Sequence, residues 1–334
     1  VSGPSAGAGS VPDLGFSRPV PRDGYAWWYV DALSDDGRHG LTVIAFVGSV
    51  FSPYYAGARR RGRGDPAHHC ALNVVLSGPG GGRWTMTERG RGDLAVRPDG
   101  LSIGPSAVSW DGEVFEIRID ETAVPVPRRV RGTVRVRPGM VTPGPFELDA
   151  AGRHRWWPIS PRCRVEVDLS SPHRSWRGTG YLDANHGDEP LEDGFVEWDW
   201  SRADLGDGPD GGAAILYEPV RRDGSRSLIA IRVAPDGSVH PFDAPPRAAL
   251  PTAPWWRMRR GTRSEPGHAP DVRATLVDAP FYARSVVSAR LLGRPVEAVH
   301  ESLSLDRFRA RWVQMLLPFR MPRIARGRPA GRTG

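Results

Sequence analysis

Tyr25-Ala-Trp-Trp-Tyr-Val-Asp31 and Leu41-Thr-Val-Ile-Ala-Phe-Val47, with Ser34-Asp-Asp-Gly37 between them, decide the fold class. Both runs are dense in aromatic and β-branched residues, which fit a pleated surface, and Asp-Asp-Gly is a turn signal. The stretch predicts a hairpin, and the same grammar recurs along the chain. Strands are expected over 70–76, 83–87, 114–119, 130–136 and 165–169, then over 195–200, 213–218, 228–233, 272–277 and 284–292. Short strands spaced by Gly, Pro and Asp turns predict an all-β protein; about fifteen of them suit two small barrels better than one. Gly78-Pro-Gly-Gly-Gly82 holds a Pro and no Lys, so it reads as a hairpin loop and not a phosphate loop.

The best boundary falls between Asn185 and Glu192, at Gly187-Asp-Glu-Pro190. The expected organisation is a flexible lead-in over 1–20, one domain over 21–186, a second over 187–320 and a basic tail over 321–334. Near the end, Leu305, Phe308, Trp312, Leu316 and Phe319 recur at helical spacing, with Arg307, Arg309 and Arg311 between them. A short C-terminal helix is predicted, ended or kinked by Pro318. Two readings of this basic amphipathic segment stay open: a helix docked on its own barrel, or one lying on an anionic membrane.

Composition narrows the class. Twelve Trp and a hydrophobic fraction of 39% in 334 residues indicate a folded globular protein. The net charge is +7, and all the basic residues are Arg. That charge favours an anionic partner, yet the chain carries no nucleic-acid-reading module, so nucleic acid is not expected. Cys70 and Cys163 stand far apart without metal-ligand spacing, which suits two free thiols in a reducing compartment. No stretch reaches the ~18 apolar residues of a membrane helix, and no secretory leader is recognised; a soluble or peripheral cytoplasmic protein is expected.

The chemistry concentrates in Gly178-Thr-Gly-Tyr-Leu-Asp-Ala-Asn-His-Gly187 and, upstream, His154-Arg-Trp156. Tyr181 and Asp183 are two apart, as are His154 and Trp156, so on strands each pair projects from one face. An acid, a phenol, an indole and an imidazole on one wall suit protonation of an alkene. The same residues also read as core and turn. A metal reading takes His154, Asp183 and His186 as a facial triad, without the usual close spacing. No serine-hydrolase elbow is present, and His68-His69-Cys70 is a poor ligand set. Phe51-Ser-Pro-Tyr-Tyr55 is expected to rim a pocket or pack as a loop, while Trp255-Trp256 and Phe195…Trp198-x-Trp200 line an apolar tunnel or fill a core.

Gly24-Tyr-Ala-Trp-Trp-Tyr-Val-Asp31, Ala45-Phe-Val-Gly-Ser-Val-Phe-Ser-Pro-Tyr-Tyr55, His154-x-Trp156 and the Gly-Tyr-x-Asp-x-Asn-x-Gly stretch together resemble bacterial carotenoid 1,2-hydratases. The resemblance implies two tandem lipocalin-like antiparallel β-barrel domains and no cofactor or metal. It implies addition of water to the terminal C1–C2 double bond of acyclic carotenoids such as lycopene or neurosporene. It places active residues at His154, Trp156, Tyr181 and Asp183, whereas Ala184 and His186 depart from the wider pattern and carry no role over. On this reading Asp183 protonates C2, Trp156 and Tyr181 stabilise a tertiary cation at C1, and His154 activates the water. Such a lipid-like substrate implies peripheral association with an anionic membrane, on the cytoplasmic side of the inner photosynthetic membrane. The oligomeric state is left open. Two other readings keep the fold: a polyene cyclase, or a non-enzymatic carotenoid or lipid carrier.

Overall fold

Every strand expected from the sequence forms, and two large, mainly antiparallel sheets result, with Arg247–Leu250 and Arg260–Arg263 as a separate two-stranded pair. The structure, a computed structural model, describes residues 12–324. The first sheet contains β1 (Tyr25–Ser34), β2 (Gly40–Val47), β3 (Cys70–Ser77), β4 (Phe115–Thr122), β5 (Arg129–Pro138), β6 (His154–Ser171) and β7 (His173–Gly187). They run in the order β3-β2-β1-β7-β6-β5-β4, and the short strands Ser106–Trp110, Gly100–Ile103 and Leu94–Arg97 extend the sheet beyond β4. The second sheet contains β8 (Phe195–Gly206), β9 (Gly212–Arg221), β10 (Ile229–Val233), β11 (Asp271–Asp278), β12 (Tyr282–Leu291) and β13 (Arg294–Ser304), in the order β10-β9-β8-β13-β12-β11.

The first sheet curls around a filled interior. Leu72 and Val74 of β3 pack in one core with Ile117 of β4, Val134 of β5 and Val165 of β6. Its flanks meet through side chains: Arg89 donates to Glu121 at 2.8 Å, and Ser106 donates to the same carboxylate at 2.8 Å. Alternation then gives the sheet a second buried face. In β1, Ala26, Trp28, Val30 and Ala32 enter that interior, whereas Tyr25, Trp27 and Tyr29 pack outward against the second sheet. Trp198 and Trp200 of β8, Tyr217 of β9 and Leu303 of β13 meet them there. The opposite face of the second sheet has a small core of its own, including Ala203, Leu216 and Ala298. The aromatic seam between the sheets positions the site.

Three local expectations are corrected. The lead-in is not free over 12–20: Leu14 and Phe16 are core residues, and the Trp28 indole donates to the Leu14 carbonyl at 2.9 Å. Residues 1–11 lie outside the described residues. The 51–55 segment is no simple loop. Ser52 caps α1 (Pro53–Arg60) by accepting from the amides of Tyr54 and Tyr55, with Pro53 at the first helical position. After the short α2 (Leu191–Gly194), the expected C-terminal helix appears as two, α3 (Leu305–Arg309) and α4 (Arg311–Leu316). They are divided at Ala310, which is extended (φ −61°, ψ 132°), so the break precedes Pro318. The first residues of the expected basic tail, 321–324, pack on the first sheet. Met321 is buried, and Arg323–Ile324 pairs in parallel with Glu88–Arg89, with Arg323 bonded to Glu88. The rest of the tail, 325–334, lies outside the described residues.

His186 illustrates what parity decides. It stands on the interior side of β7, edge-on to Trp28 with ring centroids 5.8 Å apart, while Asp183 faces the seam. His154, Asp183 and His186 therefore do not converge. Burial lowers the His186 imidazole to about 4, against about 6.5 in an unfolded chain. Because its folded value is depressed, its contribution to stability is present above pH 6.5 and lost as pH falls towards 4. Replacing His186 with Leu should flatten the fall in unfolding free energy between pH 6.5 and 4.5 by up to about 1.4 kcal/mol per pH unit. Urea titrations of both proteins at the two pH values would measure it; equal slopes would contradict the assignment.

Candidate active site

A cavity of about 510 Å³ lies in the seam, lined by both sheets. Its walls are mostly aromatic, including Trp27, Trp156, Trp198, Trp200 and Tyr217, and among them stand a few polar groups that converge. Asp183 is central. Its neighbour in β7, Tyr181, donates to Oδ2 at 2.9 Å, and the Trp156 indole from β6 donates to the same oxygen at 3.1 Å. That indole also lies 3.2 Å from the Tyr181 hydroxyl, which closes a three-membered cluster. Asn185 donates to the other oxygen, Oδ1, at 3.3 Å. The geometry follows from register: Trp156 is opposite Asn185 across the β6–β7 pair, and residues 181, 183 and 185 share one face.

Burial pushes the Asp183 carboxyl well above the usual carboxylate range. The Tyr181 and Trp156 donors oppose this, and the negative charges of Glu301 and Asp31 reinforce it. With two donors on Oδ2, the acidic proton belongs on Oδ1, whose partner among the described residues is the Asn185 amide. The side chain is then a neutral acid whose conjugate base has two hydrogen bonds ready for it.

A second polar group comes from the far half of the chain. Tyr29 donates to Glu301 at 2.8 Å and lies 3.2 Å from Asp31. Arg284 pairs with Asp31 at 3.0 Å and approaches Glu301 at 3.6 Å. Arg202 pairs with Asp31 at 3.1 Å, and its guanidinium sits 5.5 Å from the Tyr181 ring centre. Two guanidiniums thus face three buried carboxyls. Asp31 and Glu301 contact them directly and Asp183 does not, so charge balance also makes Asp183 the protonated member.

Trp156, Tyr181 and Asp183 are brought together as the sequence predicts, and His154 is not part of that cluster. Although its strand and parity match those of Trp156, His154 sits two residues further out, beyond the cavity wall. Its Nδ1 meets the Tyr25 hydroxyl at 2.9 Å, its Nε2 meets Glu189 at 3.1 Å, and its ring packs on Phe195. Of the aromatic clusters, Phe51, Trp198, Trp200 and Trp256 line the cavity. Tyr55 is buried elsewhere, donating to the Gly24 carbonyl at 2.7 Å, and Trp255 is 86% exposed. Tyr29, Arg284 and Glu301 were not anticipated. Their signal was present in the parity of β12 and β13, where Glu301 shares a face with Val299 and Leu303, a charge on an apolar side.

The chain matches the family model "Carotenoid hydratase CrtC" over residues 43–329. It is 55% identical to the acyclic carotenoid 1,2-hydratase of Thiocapsa roseopersicina, over 95% of this chain and 78% of that protein. Against the enzyme of the same description from Rubrivivax gelatinosus it is 53% identical, over 93% and 76%. Among solved structures, an AttH protein of Nitrosomonas europaea aligns with TM-score 0.58 at 16% identity, over 90% of this chain and 98% of that one. Kievitone hydratase from Nectria haematococca aligns with TM-score 0.54 at 10% identity, over 91% and 97%. At such identities these two likenesses concern the fold alone.

The protonation state is measurable without any substrate. The infrared difference between wild type and Asp183→Asn at pH 7 should contain the carbonyl stretch of a protonated carboxylic acid. Tyr181→Phe removes a hydrogen bond to the charged form, worth about 1.5–3 kcal/mol, and should raise the midpoint of that band's loss by roughly one to two pH units. A carboxylate signal at pH 7 would overturn the assignment.

Proposed function

The chain belongs to the carotenoid hydratase family and is a hydro-lyase of carotenoid biosynthesis; from that premise we propose that it adds water to the terminal C1–C2 double bond of an acyclic carotenoid such as lycopene or neurosporene, with Asp183 as the acid. The observation that carries the assignment is a buried carboxyl, doubly hydrogen-bonded on one oxygen, on the wall of an aromatic cavity. Asp183 transfers its proton from Oδ1 to C2, and the π pair becomes the new C–H bond. The cation forms at C1, where three carbon substituents stabilise it. The faces of Trp156, Tyr217 and the neighbouring indoles contribute roughly 0.5–2 kcal/mol each to a desolvated cation. Tyr181 and Trp156 take up the carboxylate charge as it develops, so stabilisation arrives with the transition state. Water then captures C1 and leaves a tertiary alcohol.

His154 acts as a positioning residue in this scheme. Its two ring nitrogens tie β6 to Tyr25 and Glu189, and Gly194 leaves no room beside it, since an added Cβ would come within 2.4 Å of Nε2. The ring therefore holds the end of β6 in register, two residues from Trp156. Burial lowers its pKa, which favours the neutral form that the Tyr25 and Glu189 contacts orient.

The same seam opens on a surface suited to lipid. Trp255, Trp312, Met315 and Phe319 are exposed on adjoining segments, and Trp256 stacks on Trp312 with centroids 5.8 Å apart. Trp256, Leu316, Phe319 and Arg320 also line the cavity, so the patch surrounds its mouth. Arg257, Arg259, Arg307, Arg309 and Arg311 belong to the same segments. Among the described residues no helix is long and apolar enough to cross a membrane. An apolar patch of this kind beside arginines supports peripheral docking on an anionic bilayer, from which one end of the substrate enters. The buried free thiols, with Cys70 pushed up to about 12 by burial, support a reducing cytoplasmic face.

Two measurements test these readings. Incubation with lycopene in ¹⁸O-water should yield a singly labelled tertiary alcohol, and Asp183→Asn should reduce its rate by ~10²–10⁴-fold while carotenoid binding persists. Binding without any labelled alcohol would instead favour a carrier, and a cyclised product a polyene cyclase. For the membrane, Trp255→Ser combined with Phe319→Ser should weaken co-sedimentation with phosphatidylglycerol vesicles at least tenfold, on the order of 1.4 kcal/mol. Unchanged sedimentation would move the docking surface elsewhere.

A further inference from the structure

Hydration needs a second proton transfer, because the captured water must lose a proton after it bonds to C1. His154, beyond the cavity wall with both nitrogens engaged, is badly placed to accept it. Asp183 has just become a carboxylate on the wall that donated to C2. The second sheet offers a different group. We propose that Glu301 is the base that removes the proton from the attacking water, with Tyr29, Tyr282 and Arg284 holding its carboxylate. The inference rests on the hydratase reading above.

Glu301 comes from β13 in the second sheet and Asp183 from β7 in the first, and both line the one cavity. The cavity thus lies between two carboxyls from different sheets, an arrangement that allows proton delivery from one side and water activation from the other. Their surroundings differ in kind. Around Asp183 the partners are neutral: the Tyr181 hydroxyl, the Trp156 indole and the Asn185 amide. Around Glu301 are the Arg284 guanidinium at 3.6 Å, the Tyr29 hydroxyl at 2.8 Å and a hydrogen bond from Tyr282. The charged and titratable groups facing this cluster are Tyr29 and Asp31 from β1, Tyr181 and Asp183 from β7, Arg202 from β8, Tyr217 from β9, and Tyr282 and Arg284 from β12. Burial raises Glu301 above the ordinary carboxyl range and the Asp31 charge adds to this, while Arg284, Tyr282 and Tyr29 oppose it. Asp183 has only neutral donors and Glu301 an arginine beside it, and carboxyls with such different partners can divide into acid and base.

Glu301 also has a neighbour suited to seating a water. Trp200 is its partner across the β8–β13 pair and lines the same cavity. The Trp200 indole N–H is buried and has no acceptor among the described residues. A buried donor next to a carboxylate gives a water two polar partners, one accepting and one donating.

The step balances without any co-reactant. The C1–C2 π pair takes the Asp183 proton, a water lone pair forms the C1–O bond, and the resulting oxonium gives its proton to Glu301. Return of one proton from Glu301 to Asp183 through solvent restores both groups.

Partition of the cation distinguishes this role from a structural one. When water capture fails, the cation can only return a proton, from C2 or from a terminal methyl, which regenerates an alkene. In D₂O that return leaves deuterium in the recovered lycopene or its terminal isomer. Glu301→Gln should therefore lower alcohol formation at least 100-fold while deuterium wash-in stays within about fivefold of wild type or rises. Asp183→Asn should abolish both, and Glu301→Asp should recover part of the alcohol formation. Parallel loss of hydration and wash-in in Glu301→Gln would mean that the residue only shapes the cavity and would overturn the proposal, as would hydration within threefold of wild type. Absence of alcohol from the wild-type protein would overturn the hydratase reading itself.

Discussion

Burial of both faces of β1 and β7 is the constraint on which the rest of the molecule depends. A strand in an ordinary antiparallel sheet hides one side chain in two and wets the other. Here the inward set, Trp28, Val30, Leu182 and Ala184, fills the first sheet, and the outward set, Trp27, Tyr29, Tyr181 and Asp183, is covered by the second. The cavity is consequently not the inside of a barrel. It is a space between two sheets, and the interior of the first sheet remains solid and serves as the rigid backing for the site.

Covering that outward face explains the electrostatics. A carboxyl placed on a solvated sheet would ionise near its ordinary pKa. Enclosed by Trp156, Trp200 and Tyr217, the Asp183 carboxyl is pushed well above the usual range by burial, against the two neutral donors on Oδ2. The two arginines lie on the Glu301 and Asp31 side of the seam, where they compensate two carboxylates and leave the third neutral. Neither sheet alone holds this balance: Asp31 and Asp183 belong to the first, Arg202, Arg284 and Glu301 to the second. Docking of the sheets and assembly of the chemistry are therefore one event.

The C-terminal segment both completes the core and borders the cavity mouth. Leu305, Phe308 and Val313 close the seam from below, while the break at Ala310 turns Trp312 and Met315 to the outside near the cavity mouth. Arg323 then ties the chain back to Glu88 of the first sheet. A basic, aromatic rim thus belongs to the same segment that completes the core.

Much of this was legible in the sequence, because strand periodicity is local. Alternation in Tyr25–Asp31 and in the Gly-Tyr-x-Asp-x-Asn run is sufficient to place Tyr181, Asp183 and Asn185 on one side of a strand, and Trp156 joins them through the pairing of β6 with β7. The helix behind Phe51 and the break at Ala310 were harder to read, since each is decided by a cap or a packing contact over a few residues. Glu301 was not identified at all. Its partner Tyr29 lies 272 residues earlier, and nothing local tells a strand which distant sheet will cover it. Sequence determined the strands, their parity and the placing of Tyr181 and Asp183 on one face; only the tertiary structure decided that His154 stands apart and that Arg284 and Glu301 join Asp183 in one cavity, because desolvation and charge pairing arise only when the two sheets close on each other.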